Sequence, residues 1–232
     1  SVLYKLNVDF VWQIEPDDET APTAEIYLEA AKAYVLDEPG LDDGHWLKRL
    51  IKVVSPEQVR IRTGTTLHRE VNPGLADYEV ELVVVVGRRC RHLDESDVWD
   101  AVAGVTVGQD VSERALQAAS EPAQFSLGKS YDTFGPIGPN VVSIDLLEER
   151  DDLLLGCSVD GEVRQDSRTS RMILGVRQLV AYLSGICTLE PGDLVFTGTP
   201  AGVGDAQGRC LRRGQRIQSH IAGVGHMVND CI

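Results

Sequence analysis

Apolar residues come in short, dense blocks along this chain. In the densest, Glu79-Val80-Glu81-Leu82 alternates polar and apolar, runs into Val83-Val84-Val85-Val86 and stops at Gly87. β-Branched residues in series, closed by glycine, predict a strand over 79–87 that is buried for most of its length. Comparable runs predict strands at 103–109, 139–144, 153–159, 193–198 and 216–222, and Asp160-Gly161 predicts a hairpin turn feeding a further strand. Pro191-Gly192 and Arg213-Gly214 read as turns. Helix formers with Pro22 near the start predict a helix over 21–36, and a second is expected over 43–51. Short helices are expected at 95–102 and 112–119, and a longer one over 170–186 with Thr169 or Ser170 as its N-cap. Strands outnumber helices and do not alternate regularly with them, which predicts a β-dominated α+β fold. The texture changes near residue 60. That suggests a small N-terminal α/β region over 1–60 and a larger domain over 61–232.

Composition narrows the function classes. The chain has 232 residues, 43% hydrophobic and 25% charged, as expected of a globular protein with a sizeable core. A net charge of -14 argues against nucleic-acid or anionic-membrane binding, both of which draw on clustered Lys and Arg. It leaves room for an anionic small-molecule substrate at a locally positive site. The five cysteines include no C-x-x-C pair, which suits free thiols in a reducing compartment. No apolar run approaches the ~20 residues needed to cross a bilayer, and Ser1-Val2-Leu3-Tyr4-Lys5 does not read as a signal peptide. A cytoplasmic protein is the expectation.

Candidate chemistry starts with the paired glutamates. Side chains two apart on a strand share a face, so Glu79 and Glu81 stand roughly 7 Å apart. Like charges held that close repel unless a cation lies between them, and Mg²⁺, Mn²⁺ and Ca²⁺ prefer carboxylate oxygen. Two solvated glutamates at a strand edge fit the same pattern. Asp110 ends the 103–109 strand and is either a third acidic ligand or the cap of the helix after it. Arg114 and Gln117, three apart, share a helix face, and Arg114 could grip a substrate carboxylate bidentately or make a surface ion pair. Gly128-Lys129-Ser130 resembles the end of a P-loop, but Ala123 stands where the first glycine is required. Lys129 is therefore a candidate site cation or an ordinary surface lysine. In Thr197-Gly198-Thr199-Pro200-Ala201-Gly202-Val203-Gly204, glycines permit close backbone approach and exposed amides could hold an anion, although a purely structural turn has the same composition.

In order, Asp-Tyr-Glu-Val-Glu-Leu (77–82), Asp-Val-Ser-Glu-Arg-Ala-Leu-Gln (110–117), Gly-Lys-Ser-Tyr-Asp-Thr-Phe (128–134), Gly-Glu-Val-Arg-Gln-Asp (161–166), Thr-Ser-Arg-Met-Ile (169–173), Leu-Glu-Pro-Gly-Asp (189–193) and Thr-Gly-Thr-Pro-Ala-Gly-Val-Gly (197–204) resemble the fumarylacetoacetate hydrolase family. The resemblance implies a mixed β-sheet roll with a small N-terminal extension. It implies Glu79, Glu81 and Asp110 as ligands of a divalent metal, Mg²⁺ first, with Mn²⁺ or Ca²⁺ as alternatives. Lys129 and Thr199 would be catalytic, Arg114, Gln117 and Gly198 substrate-binding, and the assembly a homodimer. Gln109 departs from the asparagine common before the aspartate.

The family's Asn-Tyr-x-x-His-x-x-Glu segment, whose histidine activates water, is not legible: Asn7 is followed by Val8, and Val11 stands where histidine would fall. His45 and His68 are substitute candidates without a motif. The expected activity is metal-dependent hydrolysis of a C–C bond in an acylpyruvate or other β-dicarbonyl acid. Decarboxylation or keto–enol isomerisation of 2-oxo dicarboxylic acids depends less on an activated water and is the alternative. A third reading is a family member that kept the fold as a binding or structural protein.

Overall fold

The computed structural model describes residues 60–61, 75–121 and 123–232. The helices expected at 21–36 and 43–51, and His45 and His68, lie outside these residues. The strands are β1 (Arg60–Ile61), β2 (Ala76–Asp77), β3 (Val80–Val86), β4 (Val102–Gln109), β5 (Ser112–Glu113) and β6 (Ile137–Val142). They continue with β7 (Leu154–Val159), β8 (Glu162–Arg168), β9 (Leu194–Phe196), β10 (Arg216–Ile221) and β11 (Gly225–Cys231). Two α-helices are described, α1 (Arg114–Gln117) and α2 (Val176–Ile186). The fold is β-dominated, as expected.

The described strands form three sheets: a five-stranded sheet in the order β1-β11-β10-β7-β8, a four-stranded sheet β6-β4-β3-β9, and the pair β2-β5. β1 pairs in parallel with the end of β11, so residues 60–61 belong to the larger sheet.

β3 is central to its sheet and buried throughout, which is why its valines run on without a polar partner face. Its two faces do different work. Val80, Leu82, Val84 and Val86 join the main core with Val105, Val107, Leu155, Ile217 and Met227, between the two large sheets. Val83 and Val85 join a smaller cluster with Ile137, Leu194 and Phe196. Each buried valine contributes about 1.5–3 kcal/mol by leaving water. Glu81 falls on the same alternation as Val83 and Val85. The smaller cluster therefore continues along that face toward the two glutamates.

The expected 95–102 helix is instead two short 3₁₀ turns, Glu95–Asp97 and Trp99–Ala101. The long helix starts at Val176 rather than near 170. Thr169 and Ser170 are otherwise engaged: Thr169 Oγ1 accepts the Leu153 N–H, and Ser170 Oγ donates to Asp152. The Gln178 side chain instead accepts the Gly175 N–H at the helix start. β11 had no clear sequence signal. Its buried positions include Asn229 beside Met227 and Cys231, so its apolar alternation is broken.

Candidate metal centre

Antiparallel pairing brings the acidic residues together. β3 and β4 pair with Glu81 opposite Gly108 and Val80 opposite Gln109, and the Asp110 N–H continues the ladder to the Glu79 carbonyl at 2.9 Å. Asp110 leaves β4 just as Glu79 enters β3. Carboxylate oxygens of Glu79, Glu81 and Asp110 all lie within 4.8 Å of one another. None is a solvated edge charge: the three residues are 8%, 3% and 2% exposed.

Other segments hold this triad in place. β9 pairs with β3 from the other side, so residues 197–199 emerge beside Glu81. The Thr197 hydroxyl donates to the Leu82 carbonyl, the Thr199 hydroxyl donates to the Val80 carbonyl at 2.9 Å, and the Gly198 N–H donates to Glu81 Oε2 at 2.7 Å. α1 is capped by Glu113, whose carboxylate accepts the N–H groups of Ala115 and Leu116. This sets Arg114 and Gln117 over the site. Lys129 ends a 3₁₀ turn (Leu127–Lys129) packed against α1. Its ammonium donates to Glu79 Oε2 at 2.8 Å and also to Asp110 Oδ2.

Arg114 is densely engaged. Nε and Nη2 donate to Asp77 Oδ2 at 3.0 and 2.7 Å, Nη2 to Glu79 Oε1 at 2.6 Å, and Nη1 to Gln117 Oε1 at 3.0 Å. A guanidinium has five N–H bonds. Among the described residues one is left without a partner, so a bidentate grip on an incoming carboxylate requires one of these contacts to break.

Electrostatics follow from burial. Burial, and then the nearby Asp110 charge, push the Glu81 carboxyl well above its ordinary value, against the pull of the Gly198 N–H and Lys129. Burial likewise raises Asp110, with Lys129 opposing. Burial works against the Lys129 ammonium, but Asp110 and Glu79 outweigh it and raise its pKa, so it stays protonated. Asp110 Oδ1 is buried with no hydrogen-bond partner among the described residues. An orphaned carboxylate oxygen costs about 1–3 kcal/mol or more, a penalty that a cation would remove. Three hard oxygen donors, with no thiolate or imidazole among the described residues of the cluster, fit Mg²⁺, Mn²⁺ or Ca²⁺.

Two buried glutamines and an aspartate, each in or beside a family motif but given no role from the sequence, complete the site. Gln109 Oε1 accepts the Glu79 N–H at 2.9 Å, and its Nε2 donates to Ser219 Oγ at 2.9 Å on the opposing sheet. Gln165 Oε1 accepts the Val80 N–H at 3.0 Å, and its Nε2 reaches Thr199 Oγ1 at 2.8 Å and the Pro200 carbonyl at 2.9 Å. Asp77 anchors Arg114. The available signal was a polar side chain at an inward strand position, as Gln165 has on β8. Of the five histidines, His92, His220 and His226 are described, and all three are exposed.

The family model described as "Fumarylacetoacetate (FAA) hydrolase C-terminal" matches residues 27–232. The fumarylacetoacetate hydrolase domain-containing protein 2 homolog of Dictyostelium discoideum is 42% identical over 165 residues, covering 66% of this chain and 54% of that protein. The mitochondrial oxaloacetate tautomerase FAHD2A of Bos taurus is 39% identical over 158 residues, covering 67% and 50%. The chain thus spans about half the length of these two relatives. Among solved structures, a Mycobacterium smegmatis protein assigned as HpcE matches with 49% identity and a TM-score of 0.68, covering 70% of this chain and 60% of that one. Fumarylpyruvate hydrolase from Pseudomonas aeruginosa, in complex with Mn²⁺ and pyruvate, matches with 30% identity and a TM-score of 0.65, covering 75% and 71%. Two of these neighbours, the oxaloacetate tautomerase and the fumarylpyruvate hydrolase, are enzymes of different reaction types. The chain belongs to the fumarylacetoacetate hydrolase family.

Proposed function

We propose that this chain is a metal-dependent enzyme acting through the enol form of a 2-oxo acid, with keto–enol tautomerisation of a 2-oxo dicarboxylic acid such as oxaloacetate as its reaction. The observation that carries the reading is the Lys129 ammonium beside the buried triad of Glu79, Glu81 and Asp110. A divalent cation held by those three residues would polarise the 2-oxo oxygen and stabilise negative charge on it. Lys129, kept protonated by Glu79 and Asp110, supplies positive charge beside the developing enolate; ketonisation adds one proton at carbon and removes the one on the enol oxygen, so no net proton is consumed. Gln117 and the remaining Arg114 Nη1 N–H would face the substrate. The Thr199 hydroxyl is already shared between the Val80 carbonyl and Gln165, so Thr199, like Gly198, would contribute by shaping the loop wall. The 39% identity to an oxaloacetate tautomerase supports this choice of reaction.

Hydrolytic cleavage of an acylpyruvate C–C bond is the second reading, supported by the likeness to the fumarylpyruvate hydrolase complex with Mn²⁺ and pyruvate. Both share the enolate requirement, and they differ in the need for an activated water. The test is turnover with Mg²⁺ or Mn²⁺, following the enol absorbance of oxaloacetate in parallel with cleavage of acylpyruvate and fumarylpyruvate. Faster metal-dependent enol decay, lost in Lys129→Met, upholds the tautomerase. Cleavage without such acceleration supports the hydrolase. No turnover of any of these acids by a Mn²⁺-binding protein overturns both. A homodimer is proposed on the family resemblance, and light scattering reads it directly.

A further inference from the structure

Asp77 is fully buried and lies outside the metal triad, yet its carboxylate is among the most heavily engaged in the molecule. Oδ1 accepts the N–H groups of Tyr78 at 2.8 Å and Gly204 at 2.6 Å. Oδ2 accepts the Asp205 N–H at 2.9 Å, together with Nε and Nη2 of Arg114. Five donors converge on it: the N–H of the next residue, Tyr78, and four from two distant segments, Arg114 on α1 and the 204–205 turn. A Cβ added at Gly204 would stand 2.7 Å from Asp77 Oδ1 and 2.5 Å from the Arg209 carbonyl, so the 204–205 turn reaches the carboxylate only with glycine there.

The arrangement has a direction. Arg114 Nη2 is shared between Asp77 Oδ2 and Glu79 Oε1, so whatever fixes the guanidinium also fixes one oxygen of a candidate metal ligand. A planar fork held by two bonds on one side cannot turn without breaking them. We infer that Asp77 is a positioning residue: it locks Arg114 in the orientation that presents Glu79 to the metal, and ties that orientation to the 204–205 turn. Arg114 then serves chiefly to orient Glu79, and grips substrate only through its one remaining N–H. The inference rests on reading Glu79 as a metal ligand of the proposed enzyme.

Mn²⁺ affinity, measured by electron paramagnetic resonance on the full chain, tests this without relying on turnover. Asp77→Asn keeps an acceptor for Gly204 but turns an NH₂ toward Arg114, and Arg114→Lys removes the fork. Each should weaken Mn²⁺ binding about 10–100-fold, the usual range for groups that orient ligands. The double variant should be no weaker than Arg114→Lys alone, because Asp77 acts through Arg114. Asp77→Glu restores the charge and should recover part of the loss. Should Asp77→Asn not fold, the same comparison is made between Asp77→Glu, Arg114→Lys and their double. Additive losses, wild-type affinity in Asp77→Asn or Arg114→Lys, or no recovery with Glu would each overturn the inference. A wild type that binds Mn²⁺ but turns over none of the acids defeats the proposed reaction, while non-additive Mn²⁺ affinities would still uphold Asp77.

Discussion

Glu81 Oε2 accepts the main-chain N–H of Gly198 at 2.7 Å, joining the acidic strand to the loop after β9. Gly198 makes this contact at φ +94, a backbone region that L side chains rarely adopt, although a Cβ there would meet nothing within 4 Å. Gly198→Ala is therefore a test of strain alone. It should cost about 1–3 kcal/mol and weaken metal binding as the amide turns from Glu81. Gly185→Ala, within α2 and also with nothing within 4 Å, should instead raise stability by roughly 0.5–1 kcal/mol. Denaturant unfolding of both variants checks the pair, and equal effects would show that the Gly198 backbone is unstrained.

Glu81→Gln separates fold from function. Without metal, Glu81 is a buried carboxylate close to Asp110, and the amide removes that charge at almost constant shape. Metal-free Glu81→Gln should melt at the wild-type temperature or a few degrees above it. Its Mn²⁺-induced rise in melting temperature should disappear. A variant that is strongly destabilised and still shifted by Mn²⁺ would argue against this view of the site.

The same groups fix a pH dependence. Folded Glu81 and Asp110 hold their protons to higher pH than in the unfolded chain, where they titrate near their ordinary values of 4.5 and 3.8. The folded state then binds more protons, so metal-free stability is greatest below those values and falls as pH rises through the folded pKa values. Bound metal favours the ionised carboxylates, so the gap between Mn²⁺-loaded and metal-free melting temperatures should widen with pH from the carboxylate range upward. Further loss is expected in strong alkali, because burial pushes the Cys157 thiol up to about 12 from 9.0 and the Tyr78 hydroxyl to about 12 from 10.0. Melting curves across a pH series check both limbs, and a gap independent of pH would contradict the first.

Gln165 deserves a substitution of its own because three groups depend on it. Gln165→Ala leaves the buried Val80 N–H without an acceptor and removes the donor to Thr199 Oγ1 and Pro200. A loss of about 2–4 kcal/mol is expected from the orphaned groups and the cavity, with turnover falling further than stability explains as the 198–200 loop loosens. Calorimetry and kinetics on one preparation separate the two effects.

These contacts mark the limit of what the sequence made legible. The β3 strand was readable because a run of valines ending at glycine has few other conformations. The relation of Glu79 to Glu81 followed from the two-residue period alone. That Asp110 meets them depends on the antiparallel register of β3 and β4, which no local pattern encodes; the family resemblance supplied it. The roles of Gln109 and Gln165 stayed hidden because a glutamine that bridges two sheets looks in sequence like a surface glutamine. The start of α2 was misplaced for a related reason: Thr169 and Ser170 have the chemistry of an N-cap but spend their hydroxyls on Leu153 and Asp152.

Glu79, Glu81 and Asp110 together are expected to hold one divalent cation. Titrating Mn²⁺ into the wild type and Asp110→Asn, with free Mn²⁺ followed by electron paramagnetic resonance, tests this most directly. One site per chain is expected in the wild type, and in Asp110→Asn its loss or a fall of at least about 100-fold in affinity with the fold intact. Equal affinity and stoichiometry in the two proteins would contradict it.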